Sequence, residues 1–412
     1  MSGRQRILLY GYHGLRNAGA ESRLAAIIHE LRCRFEDARI RVATFDRHGL
    51  DYLSGVEVRY VNPALYRRST RRLIRDSDVV VLTEGNLLSD SFTAQMVQVH
   101  AAAMEEAHEA GVPTVGLALD AGPLAPSRRP RVMRAVNRLA LLTLRTAAAL
   151  DDLLDRGLTL QATVTADCAV SMPLPTLAER SAVLASLGLE GATVHGLAPV
   201  DFFMYPARIA PVGRPADYVR YPFRGSWPGD GRARSAELAR QWIELGRRQL
   251  RADPDAVVAV VAMDPSDERI SRLVGHGIGV PERTRLVSCR GLNTFEMSAV
   301  LSGLTSMVTS RYHALVMPLA YSVPFVALGH DNRMRYITTE MGLDKYFVDR
   351  DTEDLADVLA DRHLSLLSES AELRPHLASM FEEFRGRDQE NYDLLATVVE
   401  RAGTSASVGG ET

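Results

Sequence analysis

The chain has 412 residues, of which 46% are hydrophobic and 24% are charged, and its formal net charge is −3. This composition is typical of a globular protein, and the length exceeds what one ordinary core can bury, so two domains are expected. The balanced charge gives no indication of nucleic-acid binding. No apolar run approaches the roughly 20 residues that cross a bilayer, and the N-terminus lacks the apolar core of a signal peptide.

Three scattered cysteines, Cys33, Cys168 and Cys289, lack the spacing of a metal site. An odd number of scattered cysteines is typical of a reduced, intracellular protein. We therefore expect a cytoplasmic protein without a metal.

Short apolar runs alternate with helix-length stretches along the first half of the chain. They predict strands at residues 6–11, 39–45, 78–85, 113–120 and 161–167, and helices at 21–34 and 131–147. This alternation indicates βαβ units and a parallel sheet covered on both faces.

The alternation restarts after a proline-containing linker at 169–181. Strands are predicted at 192–200, 255–263, 306–310 and 324–330, and helices at 237–250 and 294–304. We therefore predict an N-terminal Rossmann-like domain over 1–175 and a C-terminal one over 176–375, facing a cleft at the carboxyl ends of the strands. A C-terminal helix is expected at 376–403 and a disordered tail at 404–412.

Residues 202–234 interrupt this pattern with prolines, glycines, arginines and aromatic residues but no period. A long segment of this kind within a domain is often functional. A lid, an acceptor-binding loop and a simple surface insertion all remain open for it.

Two glycine turns follow predicted strands in the first half. The turn at 10–22 contains Gly14, Asn17 and Gly19, and the turn at 81–90 contains Glu84, Gly85 and Asn86. Glycine permits close approach of a ligand, and the free amide groups of a following helix attract an anion. Glu84, at the end of a strand, is expected to face the cleft, as is Asp120 in a third turn.

The segment TSRYHALVMP (309–318) places Ser310, Arg311 and His313 where a strand gives way to a helix. Arginine has a planar fork suited to carboxylate or phosphate, and histidine exchanges protons near neutral pH. A histidine that only caps or packs locally is the alternative. Arg333 and Arg335 follow the next strand, and their position indicates a site for a multiply charged anion.

These segments resemble the polysaccharide pyruvyl transferase family over roughly residues 6–345, and S-R-x-H is the most specific element. The matching residues are Gly11, Gly14, Asn17, Gly19, Glu21, Gly85, Leu87, Leu88, Asp90, Gly122, Pro123, Leu124, Arg145, Ala166, Asp167, Ser310, Arg311, His313, Asp331 and Arg333. The resemblance implies a GT-B-like fold of two Rossmann-like domains. It also implies transfer of a pyruvyl group from phosphoenolpyruvate to a sugar hydroxyl, often with formation of a ketal.

Two positions depart from the family pattern: Ala20 replaces an acidic residue and Glu84 replaces a glycine. For this reaction we expect His313 to be the general acid and Glu84 or Glu21 to deprotonate the acceptor. Substrate binding is expected from the first turns, on the acceptor side, and from arginines of the donor side. The expected substrate-binding residues are Arg311, Arg145, Arg333, Arg335, Ser310, Asn17, Gly14, Gly19, Gly85 and Asn86.

Two other functions remain open at this point. One is a GT-B glycosyltransferase that uses a nucleotide sugar, and the other is a family member that binds an anion without turnover. The sequence indicates no cofactor beyond phosphoenolpyruvate as donor substrate. A lipid-linked acceptor would bring the protein to a membrane surface, and the oligomeric state is not indicated.

Overall fold

The structure, a computed structural model, describes residues 4–46, 48–62, 65–90, 94–204, 229–329 and 332–408. Two parallel sheets with helices on their faces follow one another along the chain, which confirms the predicted α/β architecture. In the described part of the chain, no helix combines the length and apolar character needed to cross a membrane.

The first sheet has seven strands in the order β3-β2-β1-β4-β5-β6-β7. Its elements are β1 (Arg6–Tyr10), α1 (Ala18–Arg34), β2 (Arg39–Thr44), β3 (Glu57–Tyr60), α2 (Tyr66–Arg75), β4 (Val79–Leu82), α3 (Ala94–Glu109), β5 (Thr114–Leu119), α4 (Arg129–Val136), β6 (Leu141–Leu144), α5 (Ala147–Asp155) and β7 (Thr163–Val164). The strand order reverses between β1 and β4, and a ligand crevice is expected at such a reversal.

The second sheet has six strands in the order β10-β9-β8-β11-β12-β13. Its elements are α6 (Leu177–Ser186), β8 (Val194–Ala198), α7 (Gly231–Ala252), β9 (Val257–Ala262), α8 (Glu268–Ile278), β10 (Thr284–Ser288), α9 (Thr294–Ser302), β11 (Ser306–Thr309), α10 (Tyr312–Val316), β12 (Phe325–Gly329), α11 (Asn332–Glu340), β13 (Phe347–Asp349) and α12 (Leu355–Ser368). Here the order reverses between β8 and β11, directly before the S-R-x-H segment.

The final helix, α13 (Ser370–Val408), returns to the first domain. Tyr392, Leu395 and Val399 pack there in the same apolar cluster as residues of β1 and β4. At 39 residues the helix is about 58 Å long, enough to contact both domains. It begins earlier than the expected 376–403, and it continues through residues 404–408, which were expected to be disordered.

Three further expectations are revised. The helix predicted at 131–147 is wrong, because α4 ends at Val136 and the run Leu141–Leu144 is strand β6, which lies between β5 and the edge strand β7. Leucine favours helices by propensity, but pairing with β5 and β7 overrides that preference. The linker predicted at 169–181 contains the first turns of α6. Most of segment 202–234 lies outside the described residues, and its last residues belong to α7.

Candidate active site

A buried cluster of charged side chains lies between the carboxyl end of the first sheet and the second domain, with Asp167 at its centre. The Asp167 Oδ1 atom accepts a hydrogen bond from the N–H of Ala169 at 2.9 Å. Its Oδ2 atom lies 2.9 Å from Arg23, 2.6 Å from Arg145 and 3.6 Å from His313. Burial opposes ionisation, but these three basic groups outweigh it and hold the pKa of Asp167 well below its usual value.

Arg23 enters this cluster from helix α1 and is completely buried. Its Nε donates to the carbonyl of Thr83 at 3.0 Å, and its Nη2 donates to the carbonyls of Leu117 and Ala118 at 2.9 and 3.1 Å. The register of β5 against β6 shifts at this point, and Ala118 has a φ of 46°. The irregular strand therefore supplies the hydrogen-bond partners that a buried guanidinium requires.

Arg145 follows β6 and uses all three guanidinium nitrogens within the cluster. Its Nε and Nη2 donate to Asp120 Oδ2 at 2.8 and 2.5 Å, and its Nη1 donates to Asp167. The guanidinium carbon lies 4.2 Å from the centre of the Tyr312 ring. A Cβ on Gly85 would lie 2.8 Å from Arg145 Nη1, so glycine is needed for this packing. Any contact of Arg145 with a substrate anion would replace one of its carboxylate partners.

His313 can meet a substrate, because 16% of its side chain is exposed. Its Nε2 faces Asp167, so a proton on this nitrogen lies beside a negative charge. The ring packs against α1 at Gly19, where an added Cβ would lie only 2.1 Å from His313 Nδ1. Gly19 therefore sets the position of the imidazole across the domain boundary.

Glu84 lies in the turn after β4 and belongs electrostatically to the same cluster. Burial raises the pKa of its carboxyl group, while the charges of Arg23, His313 and Arg145 act in the opposite direction. The Glu84 carboxylate accepts a hydrogen bond from the backbone N–H of Asn86. Among the described residues, its buried Oε2 atom has no hydrogen-bond partner, which leaves an acceptor for a hydroxyl group.

Glu21 and Gly14 support the first glycine turn. Glu21 accepts hydrogen bonds from the Arg16 N–H at 2.9 Å and the Tyr52 hydroxyl at 2.8 Å. Burial raises the pKa of Glu21 to about 7, against the effect of these hydrogen bonds. Gly14 has a φ of 79°, and a Cβ there would lie 2.1 Å from Thr44 Oγ1. Both carboxylate oxygens of Glu21 are therefore occupied within the first domain.

The same turn contacts the second domain. The Asn17 side chain caps α1 by accepting the Ala20 N–H at 2.8 Å, and it donates to Asp264 at 2.7 Å. The N–H of Ala18 donates to the carbonyl of Met263 at 2.9 Å. Ala20 itself is buried among apolar side chains of the first domain. Asn17 thus joins the two domains rather than lying free in the cleft.

Arg311 pairs with the acidic turn that follows β9. Its Nε donates to Asp267 at 2.7 Å, its Nη2 also contacts that carboxylate, and Nη2 donates to Ser266 Oγ at 3.1 Å. Burial raises the pKa of Asp267 to about 6, against the opposing charge of Arg311. The Arg311 side chain remains 27% exposed. The neighbouring Ser310 has a buried hydroxyl without a hydrogen-bond partner among the described residues.

The two later arginines lie on α11. Arg335 is exposed, pairs with Asp349 at 3.4 Å and stacks on Phe347 at 4.2 Å, so it interacts with β13. Arg333 is half-buried in the first turn of the helix, and Asp331 lies outside the described residues. In the described part of the chain, no group of three or more His, Cys, Asp or Glu residues is placed to bind a metal ion.

The site can now be compared with known proteins. Residues 17–332 match the family model described as polysaccharide pyruvyl transferase, a range that includes every residue of the charged cluster. The chain belongs to the polysaccharide pyruvyl transferase family. This confirms the resemblance inferred from the motifs. A search of curated proteins found no match.

Comparison with solved structures shows that the fold of this chain is GT-B-like, as predicted. HepE of Anabaena, solved with UDP and glucose, has a TM-score of 0.59 at 14% identity, with 96% of this chain and 100% of that chain covered. A putative UDP-N-acetylglucosamine 2-epimerase of Listeria monocytogenes has a TM-score of 0.61 at 12% identity, with 97% and 96% covered. The Neisseria meningitidis UDP-GlcNAc 2-epimerase, bound to UDP-GlcNAc, has a TM-score of 0.59 at 10% identity, with 96% and 100% covered.

Sequence reasoning did not identify Arg23, or the role of Asp167 as the centre of the cluster. A signal for Arg23 was present, because it directly precedes the apolar run 24–28 of its helix. Charged residues are rarely buried without a partner, so such a position indicates a buried ion pair. Nothing in the local sequence indicated which carboxylate that partner is.

Proposed function

We propose that this family member transfers a pyruvyl group from phosphoenolpyruvate to a hydroxyl of a sugar or glycan-like acceptor. The observation that supports this proposal best is the juxtaposition of His313 from the second domain with Asp167 and Glu84 from the first. It places a partly exposed acid and a carboxylate with a free oxygen at one domain boundary. The reaction requires a general acid for the donor and a general base for the acceptor.

In the proposed reaction, protonated His313 gives a proton to the methylene carbon C3 of phosphoenolpyruvate. Carbon C2 then acquires oxocarbenium character, and an acceptor oxygen forms a bond to it. The bond between C2 and the phosphate oxygen breaks, and inorganic phosphate leaves with the bonding electrons. A second hydroxyl then closes a ketal, or loss of a proton from C3 leaves an enolpyruvyl ether.

Glu84 is the proposed general base for the acceptor hydroxyl. Its Oε2 atom has no hydrogen-bond partner among the described residues, whereas both oxygens of Glu21 are bonded within the first domain. A general base must come within hydrogen-bond distance of the proton it takes, so the free oxygen favours Glu84. Its buried setting also raises its pKa, which makes the carboxylate a stronger base.

The donor carries several negative charges, and Arg311 is the proposed contact for them. It lies two residues from His313, and its side chain is partly exposed. Arg145 and Arg23 are paired with Asp120 and Asp167 inside the cluster. Their proposed contribution is to hold Asp167 and Tyr312 in place beside the His313 ring.

A nucleotide-sugar transferase is the rival function, because two of the structural neighbours named above were solved with UDP or UDP-GlcNAc bound. Such an enzyme would need carboxylates or amides free to bind ribose in the second domain. In the acidic turn after β9, however, Asp264 binds Asn17, Asp267 binds Arg311, and Glu268 binds Ser288. These partners disfavour a ribose site at this turn. A family member without turnover is the second rival, based on Ala20.

Thermal unfolding in the presence of phosphoenolpyruvate, and separately of UDP-sugars, discriminates between these functions. A ligand at a hundredfold excess over its Kd stabilises the folded state by about 2.7 kcal/mol. We expect stabilisation by phosphoenolpyruvate, loss of this effect in Arg311→Ala, and its retention in the matched control Arg251→Ala, which changes an exposed arginine. Stabilisation by a UDP-sugar alone would refute the proposal, and a response to neither would favour the non-catalytic member.

Turnover is tested by measuring phosphate release from phosphoenolpyruvate with a panel of glycans. We expect His313→Ala to lower kcat by about 10²–10⁴-fold, the usual contribution of general acid–base catalysis. His276→Ala, which removes an exposed histidine at the end of α8, is the control and should retain activity. Equal losses in the two variants would contradict the role given to His313.

A further inference from the structure

Two segments of the first domain contain arginines but no acidic residue. Residues 58–75 contain six arginines, residues 121–150 contain six more, and neither range has an aspartate or glutamate. In the whole chain, by contrast, 51 acidic residues outnumber 48 basic ones. The near-neutral net charge therefore conceals a strong local excess of positive charge.

The structure brings these two segments together on one side of the first sheet. Helices α2 and α4 both pack against α3 and so lie on either side of it. The arginines of α2 recur at alternating intervals of one and three residues, which places them along one exposed stripe of the helix. Hydrogen bonds with Arg131 lower the pKa of Glu105 on α3, and the charges of Arg67 and Arg134 lower it further. Arginines from both helices therefore converge over α3.

Only part of this positive charge is neutralised. Glu106 forms two hydrogen bonds with Arg71, and Glu105 forms two with Arg131. Six other exposed arginines of these segments form a surface that we term the basic face, consisting of Arg67, Arg68, Arg72, Arg75, Arg134 and Arg138. Among the described residues, none of these six belongs to an ion pair. The basic face therefore has its charge available for a partner.

The shape and position of the basic face favour a flat partner. Helices α2, α3 and α4 lie next to one another, with α3 in the middle, and together form a broad outer surface. Leu65, at the start of α2, is 63% exposed beside the arginines. A combination of arginines with an exposed apolar side chain is typical of proteins that bind the surface of a bilayer. Helices α2 and α4 also begin near the carboxyl ends of β3 and β5, the edge of the sheet where the Asp167 cluster lies.

We propose that the basic face binds the headgroups of an anionic lipid bilayer and holds the first domain at the membrane surface. In this orientation the cleft lies next to the bilayer, so the acceptor would be a lipid-linked glycan. That last step rests on the proposed function, whereas the binding of lipid does not. Each arginine near an anionic surface contributes a factor of about five to binding.

Vesicle flotation in low salt tests the proposal without any donor or acceptor. We expect the full chain to bind phosphatidylcholine vesicles that contain phosphatidylglycerol and not to bind vesicles of pure phosphatidylcholine. The bound protein should dissociate as salt is added. The variant with Arg67, Arg68, Arg72 and Arg134 each changed to Gln should bind more than about a hundredfold more weakly. The control changes Arg232, Arg240, Arg251 and Arg272 to Gln, removes the same charge from exposed positions of the second domain, and should bind as the parent does.

Unchanged binding by the first variant, or equal binding to neutral vesicles, would overturn the proposal. Heparin serves as a soluble polyanion in competition with the vesicles. If it displaces them at a lower concentration of negative charge, the basic face binds a soluble acidic polymer instead of a membrane. Far-ultraviolet circular dichroism of both variants establishes that loss of binding does not reflect unfolding. Phosphate release in solution, measured separately, reports on the proposed function whatever the vesicle result.

Discussion

Replacement of Gly19 by alanine tests whether the position of His313 determines the rate of reaction. The added Cβ would lie 2.1 Å from His313 Nδ1, 2.3 Å from its Cγ and 2.7 Å from its Cβ. An ordinary contact begins near 3.4 Å, so the ring has to retreat by roughly 1.3 Å. Because 16% of the side chain is already exposed, the ring can move into the cleft. The imidazole would then no longer face Asp167.

The expected loss of activity follows from this displacement. Misplacement of a reacting group by about 1 Å can lower the rate about 10²-fold. We therefore expect Gly19→Ala to lower kcat for phosphate release by at least about 10²-fold while phosphoenolpyruvate still stabilises the protein through Arg311. Overpacking should cost about 1–3 kcal/mol, partly offset by the 0.5–1 kcal/mol that alanine gains over glycine in a helix. Urea unfolding gives the net value.

Gly386→Ala is the matched control, because Gly386 is also helical and a Cβ there would meet nothing within 4 Å. We expect this variant to be slightly more stable than the parent and fully active. A Gly19→Ala protein that is folded and retains the parent's kcat would refute the reasoning, since it would show that the rate does not depend on where the His313 ring lies.

Three further predictions follow from the buried ionisable groups. Glu84→Gln should lower kcat about 10²–10⁴-fold with donor binding unchanged, because the amide cannot accept the acceptor's proton; unchanged kcat would exclude it as the base. Glu21→Gln should stay active. Between pH 4.5 and 7, the free energy of unfolding of this variant minus that of the parent should increase by up to about 1.4 kcal/mol per pH unit. The parent's Glu21 has a pKa of about 7, so the stability due to its neutral form is lost as pH rises; urea unfolding at pH 5 and 8 measures this. Burial lowers the pKa of His363 to about 3, so the parent should lose stability relative to His363→Gln as pH falls below about 6.5, by up to about 1.4 kcal/mol per pH unit. Parallel pH profiles for parent and variant would contradict the last two.

Much of the fold could be predicted because buried parallel strands have short, uniform apolar runs. The strand Val79–Leu82 and the strand Val257–Ala262 contain only buried apolar residues, and both were predicted. The strand Leu141–Leu144 was missed because its leucines continue the composition of the helix before it. What identifies it as a strand is pairing with β5 and β7, which a local pattern does not contain.

The site was predicted in part for a similar reason. The S-R-x-H segment indicated His313 because strand, turn and helix follow one another locally. The ties of Arg311 to Asp267 and of Arg145 to Asp120 join residues that are distant in sequence or lie at the ends of different strands. The guanidinium of Arg23 donates hydrogen bonds to backbone carbonyls of an irregular strand, and no pattern of side chains predicts such an irregularity.

The resemblance inferred from the motifs leaves two departures, at Ala20 and Glu84, and the structure shows the environment of each. Ala20 lies in an apolar environment, and its N–H donates a hydrogen bond to the Asn17 side chain, which caps α1. The start of this helix is therefore maintained without a carboxylate. Glu84 supplies a carboxylate at the end of β4, near the charges of Arg23, Arg145 and His313. The number of acidic groups at the domain boundary is thereby preserved, and the proposed base, Glu84, lies at a strand end instead of a helix start. Loss of activity in Glu84→Gln but not in Glu21→Gln is the pattern that such a relocation requires, because Glu21 is bonded away from the cleft.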